Sequence, residues 1–389
     1  MSNYTKVSND IIYTGVDDLT LDLFESQYVV PEGMSYNSYV ILDEKIALLD
    51  TADARCQDQW LQNVTNALQG RQPEYLVSLH MEPDHSASIA KAMQQWPSLK
   101  LVAGAMALKF FAQFNEDFDV TGRTVTVNEG FVLELGKHSL QFIAAPMVHW
   151  PEVMMCYDTT DKVLFSADAF GKFGALEHET DDWDCEARRY YFNICGKYGA
   201  QVQSVLKKVS AFDVETICPL HGPVLHAPLD HYLKQYSTWS QYKPESEGTL
   251  IAVASIHGGT LQAAEQLAEM LRENSPRKVV VSDLSRDDMA EVIEDAFRYD
   301  TIVLCAASYD AGVFPPMYDF LHHLIIKGYC NKRVAIIENG TWAPSAGNVM
   351  KQMVEQMKNM TLVEPIITIR SRLHKADIPA LQALAKELI

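Results

Sequence analysis

Residues 76–89 read LVSLHMEPDHSASI. An apolar run ends at Leu79, and two histidines, a glutamate and an aspartate follow between His80 and His85. Desolvating four such groups together is costly unless they pair with one another or bind metal. The preceding run, YLVSL (75–79), reads as a short buried strand. A strand end gives a loop a rigid base from which side chains converge on one point. Alternate residues of an extended segment share a face, which predicts that His80, Glu82 and Asp84 point the same way. Pro83 argues against a helix running through the segment.

Three more candidates stand at similar junctions. His149 follows SLQFIAAPMV, Asp168 ends KVLFSAD, and His221 ends TICPLH before the turn Gly222-Pro223. Taken alone, His149 reads as a hydrogen-bonded histidine and Asp168 as a helix cap or turn residue. Together with the first cluster, four histidines and three carboxylates are presented by four strand-to-loop junctions. The other histidines lack such company.

Around these junctions the first half of the chain interleaves strands and helices. Residues 38–53 read as a hairpin, 56–70 as a helix stopped by Gly70, and 87–97 as a helix ended by Pro97. Strands are predicted at 99–104, 124–130, 131–136, 139–146 and 162–168. Many are joined as antiparallel hairpins, which suggests an αββα sandwich. The stretch SQYKPESEGTL (240–250) reads as a linker and places the domain boundary at 248/249. Beyond it the order becomes βαβαβαβα, with strands at 249–256, 278–284, 301–308 and 333–340. This is the pattern of a doubly wound parallel sheet. The fold class is thus α/β and α+β, in two domains, 1–248 and 249–389.

Three loops follow strands one, three and four of that sheet, where such folds bind ligands. The first contributes Ser255, His257, Gly258, Gly259, Thr260 and Leu261 at a helix start. Backbone N–H groups there suit a phosphate, and the glycines would let it approach closely. The second offers Ala307, Ser308, Tyr309, Asp310, Ala311 and Gly312. The third offers Asn339, Gly340, Thr341, Trp342 and Ala343. Tyr309 and Trp342 would flank a planar ring, as in the flavodoxin arrangement for FMN. A Gly-Gly turn alone would be a weak sign; the three-loop set carries the reading.

HxExDH followed by His149, Asp168 and His221 resembles the metallo-β-lactamase superfamily. Its zinc hydrolases carry HxHxDH, and here the second position is Glu82. A carboxylate in place of an imidazole shifts preference from zinc toward iron. With a flavodoxin-like domain behind it, the chain resembles the flavodiiron proteins (A-type flavoproteins). The motifs PEGMSYNSYVILDEKIALLDT, LHMEPDHS, HWPEVM, LFSADAFG and CPLHGP are similar to that family. The resemblance implies a metallo-β-lactamase-like diiron domain followed by a flavodoxin-like FMN domain. It implies that His80, Glu82 and His149 hold one iron, that Asp84, His85 and His221 hold the other, and that Asp168 bridges them. In some members the histidine at the place of His85 does not coordinate. Tyr191, in RRYYFN, lies where members carry tyrosines near the irons; it reads also as a core aromatic in a helix. Some members place a histidine near the metal from an N-terminal hairpin, whereas this chain has no histidine before His80.

The implied activity is reduction of dioxygen to water or of nitric oxide to nitrous oxide. Electrons would pass from a separate donor, a rubredoxin-like protein or a reduced cofactor, through FMN to two non-haem irons. The resemblance also implies a head-to-tail homodimer or a dimer of dimers. Two other classes remain open: a metal-dependent hydrolase with a flavodoxin-like appendage, and an electron-transfer flavoprotein on an inert scaffold. Composition narrows the partners. The 389 residues carry a net charge of −19, which opposes duplex nucleic acid and anionic membranes. The seven cysteines form no CxxC pair, so free thiols in a reducing cytoplasm are expected. No apolar stretch approaches the ~20 residues of a membrane span.

Overall fold

The computed structural model describes residues 6–179 and 182–389. The chain divides into two compact units. One comprises the chain to Tyr191 with Ala200–Ser237; the other comprises Phe192–Gly199 and Thr238–Ile389.

The first unit holds two six-stranded sheets. One runs in the order 11–13, 39–41, 47–49, 75–77, 100–104, 124–127, and the other 132–134, 139–144, 154–158, 163–165, 216–218, 225–226. The strand Tyr75–Val77 lies between parallel neighbours, 47–49 and 100–104, and all three of its residues are buried, as in a sheet covered on both faces. The helix Gln57–Leu68 buries Trp60, Leu61, Val64, Ala67 and Leu68, spaced as one apolar face. It ends where Gln69 and Gly70 turn left-handed (φ 51° and 85°). The strand Met154–Asp158 was not anticipated. All five of its residues are buried, so MMCYD shows no alternation to betray it.

At the start of strand Ser139–Ala144, the buried His138 ring lies between two carboxylates. Its Nδ1 is 3.1 Å from Asp158 Oδ1 and Oδ2, and its Nε2 is 3.3 Å from Asp10 Oδ2. The bond to Asp158 raises the His138 pKa, and burial only partly opposes it. A raised folded pKa favours folding fully below the unfolded value of about 6.5. That contribution is lost as pH rises through the folded value. Asp158→Asn should therefore lower the melting temperature more at pH 6 than at pH 9, in thermal denaturation at both. Equal losses at both pH values would refute the charged ring.

The second unit has five parallel strands, Ser246–Ala254, Lys278–Asp283, Tyr299–Tyr309, Arg333–Asn339 and Thr361–Ile369. Counted along the chain, their spatial order is 2-1-3-4-5, the flavodoxin-like order. The first strand starts three residues earlier than the sequence suggested. Gly248 N donates to Asp300 Oδ1 at 2.8 Å there, and the supposed linker pairs as sheet. The fifth strand and the last helix, Ile378–Leu388, were missed. Pro365 within TLVEPIITI argues against a strand, yet an edge strand tolerates it, and the register shifts between Ala335 and Ile337 opposite. No helix among the described residues is long and apolar enough to cross a membrane.

Candidate active site

The predicted metal-binding residues fall into two groups. His80, Glu82, His149 and Asp168 bring one ligand atom each to within 4.8 Å of one another, and so do Asp84, His85 and His221. The segment 80–86 is not extended throughout. The strand stops at Val77, and Pro83 opens a helical turn, Pro83–Ser86, instead of forbidding one. Proline suits a first helical position because its missing N–H would be unpaired there. The turn carries Asp84 and His85 away from His80 and Glu82 and into the second group.

Asp168 joins the groups. Its Oδ2 faces His80 Nε2 (3.3 Å) and His149 Nε2 (3.2 Å), while Oδ1 faces His85 Nε2 (3.3 Å) and His221 Nε2 (3.8 Å). Glu82 Oε2 lies 3.2 Å from His80 Nε2 and 2.9 Å from His149 Nε2. Asp84 Oδ2 lies 3.3 Å from both His85 Nε2 and His221 Nε2. Such separations match the edges of a coordination shell with bonds of roughly 2.0–2.2 Å. Both oxygens of Asp84 and Oδ1 of Asp168 are buried without a hydrogen-bond donor among the described residues. Buried carboxylate oxygens left this way are suited to a cation.

The electrostatics agree. Burial opposes charge on Asp168, yet His80, His149 and His85 hold its carboxyl far below the usual range. Burial likewise would raise Glu82, but His149 and His80 bring it down to about 2. His149 overcomes its own burial through Asp168 and Glu82, reaching about 9. Without metal, protons supply the positive charge that these carboxylates demand. Cations would replace them, so metal binding should release protons.

Two of the imidazoles are aimed from behind. His80 Nδ1 meets Glu152 Oε1 at 2.8 Å, and that oxygen also accepts from Met81 N at 3.0 Å. His221 Nδ1 donates to Ser35 O at 2.7 Å. Each bond leaves Nε2 free to face the cluster. Glu152→Ala should lower metal affinity roughly 10- to 100-fold. Chelator competition would measure it, and an unchanged midpoint would exclude an aiming role.

In the second unit, a cavity of about 800 Å³ opens at the C-terminal strand ends. All three predicted loops line it. Gly258, Leu261 and Gly312 are exceptions: Gly258 is the left-handed cap (φ 84°) of helix Gly259–Asn274, Leu261 packs on the core, and Gly312 pairs with Tyr309. Ser255 Oγ accepts from Gly258 N (3.1 Å) and Leu261 N (3.3 Å), which shapes the loop. Ser308 Oγ likewise accepts from Ser345 N (2.8 Å) and Ala346 N (3.2 Å). Trp342 is 88% exposed and Tyr309 46%. Rings left so bare at a cavity are available to stack on a planar ligand.

Residues 34–222 match the family model described as ODP family beta lactamase. The chain is 28% identical over 346 residues to the anaerobic nitric oxide reductase flavorubredoxin of Vibrio vulnificus (strain YJ016), covering 86% of this chain and 70% of that one. It is 30% identical over 304 residues to a putative diflavin flavoprotein A 2 of Synechocystis, covering 77% of this chain and 51% of that one. The fold matches the flavodiiron protein of Giardia intestinalis (TM-score 0.92, 20% identity, 100% of this chain and 96% of that chain). It also matches the rubredoxin oxygen:oxidoreductase of Desulfovibrio gigas (TM-score 0.90, 22% identity, 99% and 97%). Over most of its length the chain is thus similar to flavorubredoxins in sequence and to flavodiiron proteins in fold.

Several neighbours of the two histidine–carboxylate groups were invisible in the sequence. Tyr191, the predicted tyrosine, is fully buried and packs edge-on against Tyr236, 5.1 Å between centroids. Its neighbour Tyr190 is the one beside His221, at 5.6 Å. One helical step turns the side chain by about 100°, enough to exchange the two. Phe24 packs edge-on to His221 at 5.3 Å, and Trp150 edge-on to His80 at 5.3 Å. The hairpin 23–29, which lacks a histidine, carries Glu25 at its tip. Partial loss of water and the nearby Glu82 carboxylate push Glu25 up to about 7. Glu25 and Ser26 both hold left-handed backbone (φ 48° and 58°), as tight hairpin turns demand. In the second unit, Gly259 answers to packing more than to ligand approach. A Cβ there would drive into the Ser371 carbonyl oxygen. Ser371 itself lines the cavity, from a fourth loop that sequence reading missed along with the fifth strand.

Proposed function

We propose that this protein is a flavodiiron oxidoreductase that reduces dioxygen to water, nitric oxide to nitrous oxide, or both. The observation that carries the reading is Asp168, buried, with one oxygen turned to each of two histidine–carboxylate groups. Its relatives in Vibrio and Desulfovibrio are named for nitric oxide and oxygen chemistry. His80, Glu82 and His149 would hold one iron, Asp84, His85 and His221 the other, with Asp168 between them. The donor set suits iron: Glu82 adds a hard, anionic ligand, and three carboxylates against four imidazoles favour an oxidisable divalent metal over zinc. The metal half would be residues 1–248 and the flavin half 249–389.

Bound FMN and iron would supply the redox chemistry, the flavin taking electrons from a donor and the irons giving them to the gas. The protein's own groups do the rest. Glu152 and Ser35 keep the His80 and His221 rings oriented, so the site needs little rearrangement during turnover. Phe24, Tyr190 and Trp150 exclude water from the histidine faces. Glu82, His149 and Asp84 are the partly exposed members, with side chains 17%, 10% and 11% accessible, and they mark the open side where a diatomic molecule enters. Glu25 stands on that side with a carboxyl that holds a proton near neutrality. Both reductions consume protons, and Glu25 Oε is placed to deliver them. Glu25→Gln should slow turnover about tenfold with iron content unchanged. Unaltered turnover would remove Glu25 from the proton path.

The reading extends to a cytoplasmic homodimer, head-to-tail or paired into a dimer of dimers. Its donor would be a rubredoxin-like protein or a reduced cofactor. The deciding experiment is anaerobic reduction of iron- and FMN-loaded protein, followed by consumption of each gas. No reaction with either would sink the function. Zinc with hydrolytic turnover would favour the hydrolase, and FMN without metal the electron carrier.

A further inference from the structure

The flavin cavity presents a problem of charge. FMN ends in a phosphate dianion, and the chain carries a net charge of −19. Yet among the described residues the cavity lining contains no lysine or arginine, and His257 is its one basic side chain. Donors do converge at the start of helix Gly259–Asn274, where the first-turn N–H groups lack helical partners. The Thr260 hydroxyl is buried there, accepting from Asn339 Nδ2 at 3.2 Å. These groups bind a phosphate as dipoles, not as a counter-charge.

The fourth loop supplies what the lining lacks. Residues 370–375 read RSRLHK, three cations within six residues and no carboxylate among them. The loop is pinned to the phosphate-binding end at three points. Ser371 O accepts from Asn339 Nδ2 at 3.1 Å, and Ser371 Oγ donates to Thr341 Oγ1 at 3.1 Å. The Ser371 carbonyl presses on Gly259 so closely that no side chain fits between them, and the Cα of Arg372 is 3.4 Å from where a Gly259 Cβ would stand. Arg372 therefore starts beside the first residue of the phosphate-facing helix, well within an arginine's reach of it. Arg372 N donates to Arg370 O at 2.8 Å, a tight turn that forces Ser371 into a left-handed φ of 68°. A non-glycine residue held this way has a conformational cost, and such strain concentrates where a ligand is gripped. The turn sets Arg370 and Arg372 on either side of Ser371, which faces the cavity.

Both arginines are exposed. Among the described residues, neither Arg370 nor Arg372 pairs with a carboxylate, whereas His374 in the same loop pairs with Asp377 at 3.5 Å. In the same unit Arg277 pairs with Asp300 and Arg333 with Glu387, whereas Arg272 and Arg286 pair with no carboxylate among the described residues, so it is the place of Arg370 and Arg372 beside the helix start that sets them apart.

We infer that the loop Arg370–Ser371–Arg372 is a phosphate clasp that closes over the 5′-phosphate of the bound flavin and selects the mononucleotide over uncharged riboflavin. The inference rests on the FMN reading above. Guanidinium forks match phosphate oxygens, and charge-assisted bonds exceed those from neutral donors. Recognition is divided: the helix start and Thr260 position the phosphate, and the fourth loop provides the opposite charge. The alternative, a docking patch for an acidic protein, is less well supported, because the loop's hydrogen bonds fix it against the cavity wall.

The test compares FMN and riboflavin binding to flavin-stripped full-length protein, by quenching of flavin fluorescence. Three proteins are needed: wild type, R370Q/R372Q and R370K/R372K. The glutamine variant should bind FMN on the order of tenfold more weakly, with riboflavin changed less than about twofold. Its FMN affinity should also depend less steeply on salt. The lysine variant keeps the charge and should recover most of the FMN affinity. Unchanged FMN binding by the glutamine variant would overturn the clasp. So would an equal loss for both flavins, which would mean a scaffolding role for the loop. Wild-type protein that binds neither flavin would overturn the flavin reading and the clasp with it.

Discussion

Asp168→Ala protein should purify with less than about a tenth of the wild-type iron and no measurable gas reduction, while its FMN content stays near wild type. Asp168 is the one residue that faces both groups, through a different oxygen for each. Removing it leaves the buried His80 and His85 and the partly exposed His149 beside one another with less negative charge to balance a cation. Loss of a direct ligand should exceed the roughly 10- to 100-fold effect of removing a group that merely orients one. Glu82→Ala should do less, because it touches one group only, and should lower iron by about half. Iron and flavin analysis of the purified variants measures both outcomes. Iron retained at two per chain in Asp168→Ala would refute the bridging role. Equal loss of iron and FMN would show that the two sites do not stand on separate units.

Gly259→Ala should be the most damaging single methyl in the flavin half. The added Cβ meets the Ser371 carbonyl, which is backbone held by Asn339 Nδ2 at 3.1 Å and cannot swing aside as a flexible side chain would. Overpacking of this kind costs about 1–3 kcal/mol. Relief requires the fourth loop to move away from the helix start, so FMN affinity should fall by at least about tenfold. Gly258→Ala is the contrasting control. Nothing lies within 4 Å of its Cβ position, and only the left-handed φ of 84° resists substitution. Its loss should be the smaller, about 1 kcal/mol. Flavin titration and thermal denaturation of the two variants separate them. Equal effects would mean that backbone conformation, not the fourth loop, governs this turn.

The metal groups were legible because they combine rare residue types with strand ends. HxExDH concentrates four metal-capable side chains in six positions, and no ordinary core needs that. What the spacing did not reveal was how they divide. Period-two reasoning placed His80, Glu82 and Asp84 on one face. The turn Pro83–Ser86 instead sends Asp84 to His85 and His221. The error has a physical source: proline excludes itself from helix interiors but is favoured at a first turn. Similarly, RRYYFN offered two adjacent tyrosines, and only the packing of its helix distinguishes Tyr190, beside His221, from Tyr191, beside Tyr236.

The alternation of strand and helix after residue 248 was enough to read a parallel doubly wound sheet, because each strand there is a continuous apolar run. The same rule hid the fifth strand, where an edge position admits Pro365 and exposed residues. With that strand went the loop that follows it, and with the loop Ser371 and its flanking arginines.

The sequence by itself determined the kinds of chemistry available: seven metal-capable side chains at strand ends, three flavin-type loops, and a glutamate where hydrolases carry histidine. These are properties of residue type and local spacing, and local forces suffice to express them. The tertiary structure alone decided how these groups are placed. Asp168 faces two ways, Glu152 lies behind His80, Glu25 turns to the open side, and a loop from the last strand presses on the first. Each of these joins residues far apart in the chain, where packing of whole sheets sets the distance and no periodicity records it.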